Sequence, residues 1–389
     1  MTTSPVITAL NQLEPNLFSR LRTEITEERL YGYLQPLADT LAPSQTVIYT
    51  RAPVLEQLLR ANGMLERANV QFERNYQNTG NSVLLLGQEA HHKQIWLLAH
   101  LDIISYLIEP GANGRYPLTP LCYHMMHPGR QTAVVVGYDF ETRGFKVAAA
   151  GDIITEADDC IFFEPYEQVS LRAGQRVCFH SQLAWDRESS KLRGSLDDMG
   201  AVAALLMAVT VLADYKVELM LGLTDEEEGI AGSSNQTICR GGARLLRYFE
   251  QPELVIASDI HEAVAMLEGQ GPTGLKPGDG ASFAEKGSRG RGGVTPPHLY
   301  ELQRQLAAAL ATEDIRLREN IGGYVSRTEC VNAMLRTPNV AIMGFLGENR
   351  HFEKGVTTAN MKDLVDLARA VVCYVLLTQT PLWREVMAR

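Results

Sequence analysis

Two histidines and a set of carboxylates stand where short apolar runs of this sequence end. IWLLAHLD finishes in His100 and Asp102, VELMLGLTDEEEG in Glu226 and Glu227, LVIASD in Asp259, and VAIMGFLGENRH in His351. GSLDDMG adds Asp197 and Asp198 at the entry to a long apolar helical segment. Imidazole and carboxylate donors suit divalent zinc, cobalt or manganese better than thiolate chemistry does. Several of them on one rim suggest a two-metal hydrolytic site. Each motif alone has a plain structural explanation. His100 and Asp102 fit a capped strand end, Glu226, Glu227 and Glu228 a solvated turn, and Asp197 or Asp198 a helix N-cap. The triplet, however, follows an apolar run and precedes Gly229 and Gly232, so the backbone turns where the carboxylates project. The plain explanations must be invoked separately at every strand end, which favours a shared site.

Such residues need a frame. Ile95 to Ala99, Val217 to Leu223, Leu254 to Ser258 and Val340 to Leu346 are branched apolar runs, the pattern of strands buried on both faces. Met199 to Tyr215, Gly241 to Phe249, His298 to Ala311 and Thr358 to Thr378 carry helical periodicity between and after them. The fold expected is α/β, a mixed central sheet with helices on both faces, and ligands bind such sheets at the carboxyl ends of their strands. Asn16 to Leu41 and Ala52 to Asn62 predict helices ahead of the sheet. From 108 to 187 the texture changes to TAVVVGYD, GFKVAAAGD, CIFFEPY and QRVCFH between turn-rich pieces. That predicts a small β-barrel-like domain inserted between two parts of the α/β unit, 1–107 and 188–389. The Gly-rich stretch Gly269 to Gly293 is expected to be a mobile loop, since no strand leads into it as a dinucleotide fingerprint requires.

Composition narrows the partners. The chain has 389 residues and a formal charge of −10 with no basic run, which argues against nucleic-acid binding. The longest apolar stretch, Ala201 to Ala213, falls short of the roughly 20 residues that span a bilayer, and the polar start lacks a signal peptide's pattern. Six cysteines without CxxC spacing predict free thiols in a reducing compartment, the cytoplasm. Cys122, His124 and His127 in LCYHMMHPG lack a second ligand pair and predict an ordinary loop. His261 shares a strand face with Asp259 and is either a pocket residue or a hydrogen-bonded core histidine.

Taken in order, HxD, a β-rich insertion, LDD, EExG, a strand-ending Asp and a His ahead of the terminal helix resemble the cocatalytic dinuclear metallopeptidases. The match is best to metallopeptidase family forty-two, the glutamyl and tetrahedral aminopeptidases, which are related to families twenty and twenty-eight. It runs from about Asn78 to the end and includes NTGNSV, GQGP and RHFEKGVTTANMKDL. The resemblance implies two divalent metal ions per subunit, with zinc first and cobalt or manganese as substitutes. His100 and Asp259 would hold one ion, His351 and Glu227 the other, and Asp197 would bridge them. Asp102 would hydrogen-bond the far nitrogen of His100, Glu226 would be the general base, and the Asp197–Asp198 peptide would be cis. The implied activity is aminopeptidase hydrolysis of a peptide substrate, in a homo-oligomer ranging from a dimer to a dodecamer. Two departures stand out. Ile103 and Ile104 follow HxD where the family carries an acidic residue and Gly, and Met199 replaces an Arg after LDD. HLDIIS and DDMG also echo the deacylases and carboxypeptidases of family twenty, an alternative acting on N-acyl amino acids or dipeptides. A non-catalytic assembly protein on the same fold is a third expectation.

Overall fold

The structure, a computed structural model, describes residues 4–229, 238–262 and 274–388, apart from the side chain of Arg289. Its centre is a mixed sheet with twelve strands among the described residues. Four strands run parallel side by side in the order Leu219–Thr224, Ile95–His100, Leu254–Glu262 and Val340–Glu348. They are the four branched apolar runs of the sequence, and their residues are buried on both faces up to Glu348. Antiparallel neighbours extend the sheet through Ser82–Leu86 and Val70–Glu73 at one edge. Thr358–Asn360, Lys191–Arg193 and Ala184–Asp186 extend it at the other.

The helix Met199–Leu212 is apolar all round, and every one of its residues is buried. That is the pattern of a helix enclosed on all sides, here between the sheet and the helices Glu27–Ala38 and Met361–Leu377. The segment expected as one helix from Thr358 begins instead as the strand Thr358–Asn360. The helix then starts at Met361, where the Asn360 side chain accepts the Lys362 amide as an N-cap. The Asn16 to Leu41 periodicity likewise divides into Leu17–Glu24 and Glu27–Ala38, with Thr26 capping the second.

A closed barrel of six antiparallel strands, Tyr106–Ile108, Tyr116–Pro120, Ile161–Pro165, Gly144–Thr155, Gly129–Asp139 and Arg176–Phe179, stands on the rim beyond His100. Ile104 packs into the barrel core with Tyr106, Val135 and Phe179, and Ile103 packs beside Val134, Val136 and Cys178. Phe352, next to His351, stacks on Phe179 with ring centroids 4.5 Å apart. The two isoleucines after His100 and Asp102 therefore seat the barrel on the sheet. The expectation of a loop from Gly269 to Gly293 needs correction within the part described from 274 onward. Ala281–Ala284 is a buried strand, antiparallel to Val340–Glu348 and parallel to Leu317–Glu319. Glycine content suggested a loop, but the apolar ASFA run finds sheet partners. Asp363 accepts the amides of Gly278 and Gly280 to bring the chain in.

Candidate metal centre

The carboxyl ends of the parallel strands converge on one buried cluster. His100 closes its strand, and Asp259 lies in the neighbouring strand, which continues to Glu262. Asp197 arrives from the turn before Met199–Leu212 through a cis Asp197–Asp198 peptide. His100 Nε2 lies 3.1 Å from Asp197 Oδ1, and His351 Nε2 lies 3.7 Å from Asp197 Oδ2. Asp197 therefore sits between the two imidazoles. The donor atoms of His100, Asp197 and Asp259 lie within 4.8 Å of one another, and so do those of His100, Glu227 and Glu228. A third such group is Cys122, Glu228 and His351.

The acidic triplet is distributed differently from the expectation. Glu226 adopts a left-handed φ of 62°, and its carboxylate accepts from Arg244 Nη2 at 2.6 Å, joining none of the three groups. Glu227 comes within 3.9 Å of His100 Nε2, and Glu228 Oε1 lies 2.9 Å from His351 Nε2. Asp102 fixes this arrangement, because its two carboxylate oxygens accept the amides of Glu227 and Glu228 at 3.2 and 3.0 Å. His100 Nδ1 faces the backbone carbonyl of Asp102 at 3.1 Å, closer than the carboxylate at 3.6 Å. The carbonyl oxygen accepts from Nδ1–H, which leaves Nε2 directed at the cluster.

Sequence reasoning missed two residues. Cys122 belongs to the rim of the barrel and lines a cavity of about 50 Å³ together with Glu227, Glu228, Arg350 and His351. Arg350, buried, donates to His351 Nε2 at 2.8 Å and lies 3.9 Å from Asp197 and 3.4 Å from Glu262. Arg350 is a cation beside a histidine in a search for anionic and imidazole donors, and Cys122 lies in the inserted segment, away from the apolar runs that marked the other residues. His124 is satisfied by Tyr106 and Thr155, as an ordinary barrel residue is. His261 is a core histidine bonded to Ser282 Oγ at 2.7 Å, and burial holds its pKa down at about 3.

Electrostatics at the rim favours a cation. Burial, and then Asp259, push Asp198 well above the usual carboxylate range. Burial likewise raises Glu227, with Glu228 and Asp259 adding to it against the opposing His100. Asp259 rises to about 7 through burial and Asp197. Burial opposes a charged His100, but Asp102 and Asp197 more than offset it and hold the imidazole well above its ordinary value. Among the described residues, Asp197 Oδ2 and both Asp198 oxygens are buried without a hydrogen-bond partner, and the Asp198 side chain makes no capping hydrogen bond although it stands at the N-cap position. Buried polar groups are normally paired, so nitrogen and oxygen donors around an unpartnered carboxylate oxygen fit a divalent cation.

Comparison with known proteins adds the fold. No protein-family profile and no curated protein sequence matches the chain. Solved structures do match it over nearly its whole length. An aminopeptidase from the archaeon Desulfurococcus kamchatkensis superposes with a TM-score of 0.68 at 16% identity, covering 92% of this chain and 97% of its own. A TET aminopeptidase from a marine-sediment Thaumarchaeota archaeon gives 0.66 at 14% identity, with 90% and 96% covered. The Pyrococcus horikoshii TET1 peptidase, described as assembling into a tetrahedron or a large octahedral shell, gives 0.63 at 16% identity, with 89% and 99% covered. The chain has the fold of the tetrahedral aminopeptidases.

Proposed function

We propose that the chain is a metal-dependent aminopeptidase that removes residues from the free amino terminus of peptides. The observation that carries this is the Asp197 carboxylate, buried between His100 and His351 on the carboxyl rim of the parallel strands, with one oxygen that has no hydrogen-bond partner among the described residues. His100 and Asp259 would hold one divalent cation and His351 with Glu228 the other, with Asp197 shared. Zinc suits these donors best, and cobalt or manganese would substitute. When bound, the pair would polarise the scissile carbonyl and lower the pKa of water toward neutrality.

Glu227 is the carboxylate assigned to take the proton from the attacking water and return it to the leaving amine. Burial and like-charged neighbours raise its pKa, which suits it to both steps. This assignment lies one residue beyond the sequence expectation. The base moves from Glu226 to Glu227, and the second cation's glutamate from Glu227 to Glu228, because Glu226 is turned away onto Arg244. Asp102 holds the two working glutamates in place through their amides. Action at amino ends is carried over by analogy with the aminopeptidases that share the fold. By analogy with the assembling Pyrococcus horikoshii peptidase, we assign this chain a homo-oligomeric state, a dimer at least, and a cytoplasmic setting suits its free thiols.

The test is hydrolysis of unblocked and N-acetylated peptides by metal-stripped protein titrated with zinc, cobalt or manganese. Cleavage of unblocked peptides alone, restored by two equivalents of metal, is expected. Cleavage of acetylated substrates alone would replace this function with deacylation, and metal binding without turnover on any substrate would refute peptidase action.

A further inference from the structure

The barrel reaches into the centre with a sulfur atom. Cys122 follows the strand Tyr116–Pro120, and its Sγ lies within 4.8 Å of both Glu228 and His351 donor atoms. The three side chains share one cavity. The residue after Cys122 secures this approach, since the Tyr123 carbonyl faces His351 Nδ1 at 3.3 Å. That contact holds the Cys122 segment against the imidazole and turns Nε2 inward, the arrangement in which an outer carbonyl orients a ligating histidine. Cys122 forms no disulfide. The opposite group, His100, Asp197 and Asp259, contains no sulfur. The two halves of the centre therefore differ in softness.

We propose that Cys122 is a thiolate ligand of the second cation, completing a sulfur, nitrogen and oxygen set with His351, Glu228 and the shared Asp197. This rests on the two-cation reading above and extends it. Ligation replaces the S–H bond by an S–metal bond, and the proton leaves to solvent with no change of oxidation state. A thiolate donor selects zinc, cobalt or cadmium over manganese or magnesium, so this half would take the borderline metals while the sulfur-free half accepts harder ones. The barrel would thereby contribute a ligand directly to the centre.

The experiment is a cobalt titration of the metal-stripped full chain, followed by electronic absorption. A thiolate-to-cobalt charge-transfer band in the near ultraviolet should appear and saturate at one equivalent. It should persist in Cys239→Ser, which controls for the thiol 3.6 Å from Glu227, and vanish in Cys122→Ser. Cobalt d–d bands with no charge transfer would overturn the sulfur ligand while leaving the metal centre intact. Failure to bind cobalt at all would overturn the metal reading itself. A second measurement uses the unaltered chain, so it does not depend on the variant folding. Zinc should protect Cys122 from alkylation while exposed Cys160 reacts unchanged, and equal alkylation of Cys122 with and without zinc would overturn the proposal.

Discussion

Replacing the three glutamates of the triplet one at a time separates their roles. Glu226→Gln removes the charge from an ion pair with Arg244 whose side chains are 13% and 35% exposed. Pairs of that exposure contribute about 1 kcal/mol at most, and the amide oxygen still accepts from the guanidinium. Turnover and metal content should therefore stay within about fivefold of the unaltered chain, since ~1 kcal/mol corresponds to roughly that factor. Glu227→Gln removes the proposed proton carrier, and general bases contribute roughly 100- to 10,000-fold to rate. At about 1.4 kcal/mol per tenfold, that is about 3 to 5 kcal/mol on the barrier, so the two variants should differ by more than an order of magnitude. Glu228→Gln should instead lower the metal content, because it weakens the carboxylate 2.9 Å from His351 Nε2. The assay pairs kcat on an unblocked peptide with metal counted by elemental analysis on the same sample. A hundredfold loss in Glu226→Gln at full metal content, with Glu227→Gln nearly as active as the parent, would refute the shifted assignment.

Three further outcomes follow from the same geometry. Phe352→Ala removes a buried ring stacked on Phe179 and should cost about 3 to 5 kcal/mol, read as a lower Tm, with weaker cation binding beside it at His351; an unchanged Tm would refute the docking of barrel on sheet. Burial raises the Asp363 carboxyl from 3.8 to about 7, so the stability linked to its protonated form is complete below about pH 4 and lost as pH rises toward 7. Asp363→Asn should flatten that decline in Tm, and an unaltered slope between pH 4 and 7 would contradict it. Gly241→Ala would drive a Cβ into the Asp225 carbonyl and the Asn81 side chain, so it should cost about 1 to 3 kcal/mol in denaturant unfolding and reduce activity by displacing the turn before Glu226.

Most of the frame was legible because each central strand is buried on both faces and carries an unbroken apolar run. Ile95–His100 and Leu219–Thr224 needed no partner to be recognised. Places where two patterns overlap were less legible. Thr358–Asn360 reads as part of a helix until the Asn360 cap and the pairing with Val340–Glu348 are known. Ala281–Ala284 is a strand only because two others border it, and its glycine neighbours hid that. Ile103 and Ile104 stood out only as departures from the resembled pattern, and their packing role required knowing where the barrel sits.

The candidate site divides in the same way. Residues carried by the central strands, His100 at the end of one and Asp259 within the next, were readable because strand direction alone carries them toward the rim. The glutamates were not, because three identical side chains in a row can be threaded in two registers and composition cannot choose between them. Tertiary contacts choose. Asp225 accepts the Glu226 amide, Arg244 takes its carboxylate, and Asp102 receives the next two amides, so Glu227 and Glu228 are the pair that face the histidines. Cys122 was harder still, since it sits in a loop whose His124 has other partners and only the closed barrel brings its sulfur to His351. Half of the candidate site is thus built by the central strands themselves, and the other half by contacts between the sheet and the inserted barrel. Substitutions at that junction should therefore disturb the His351 half before the His100 half.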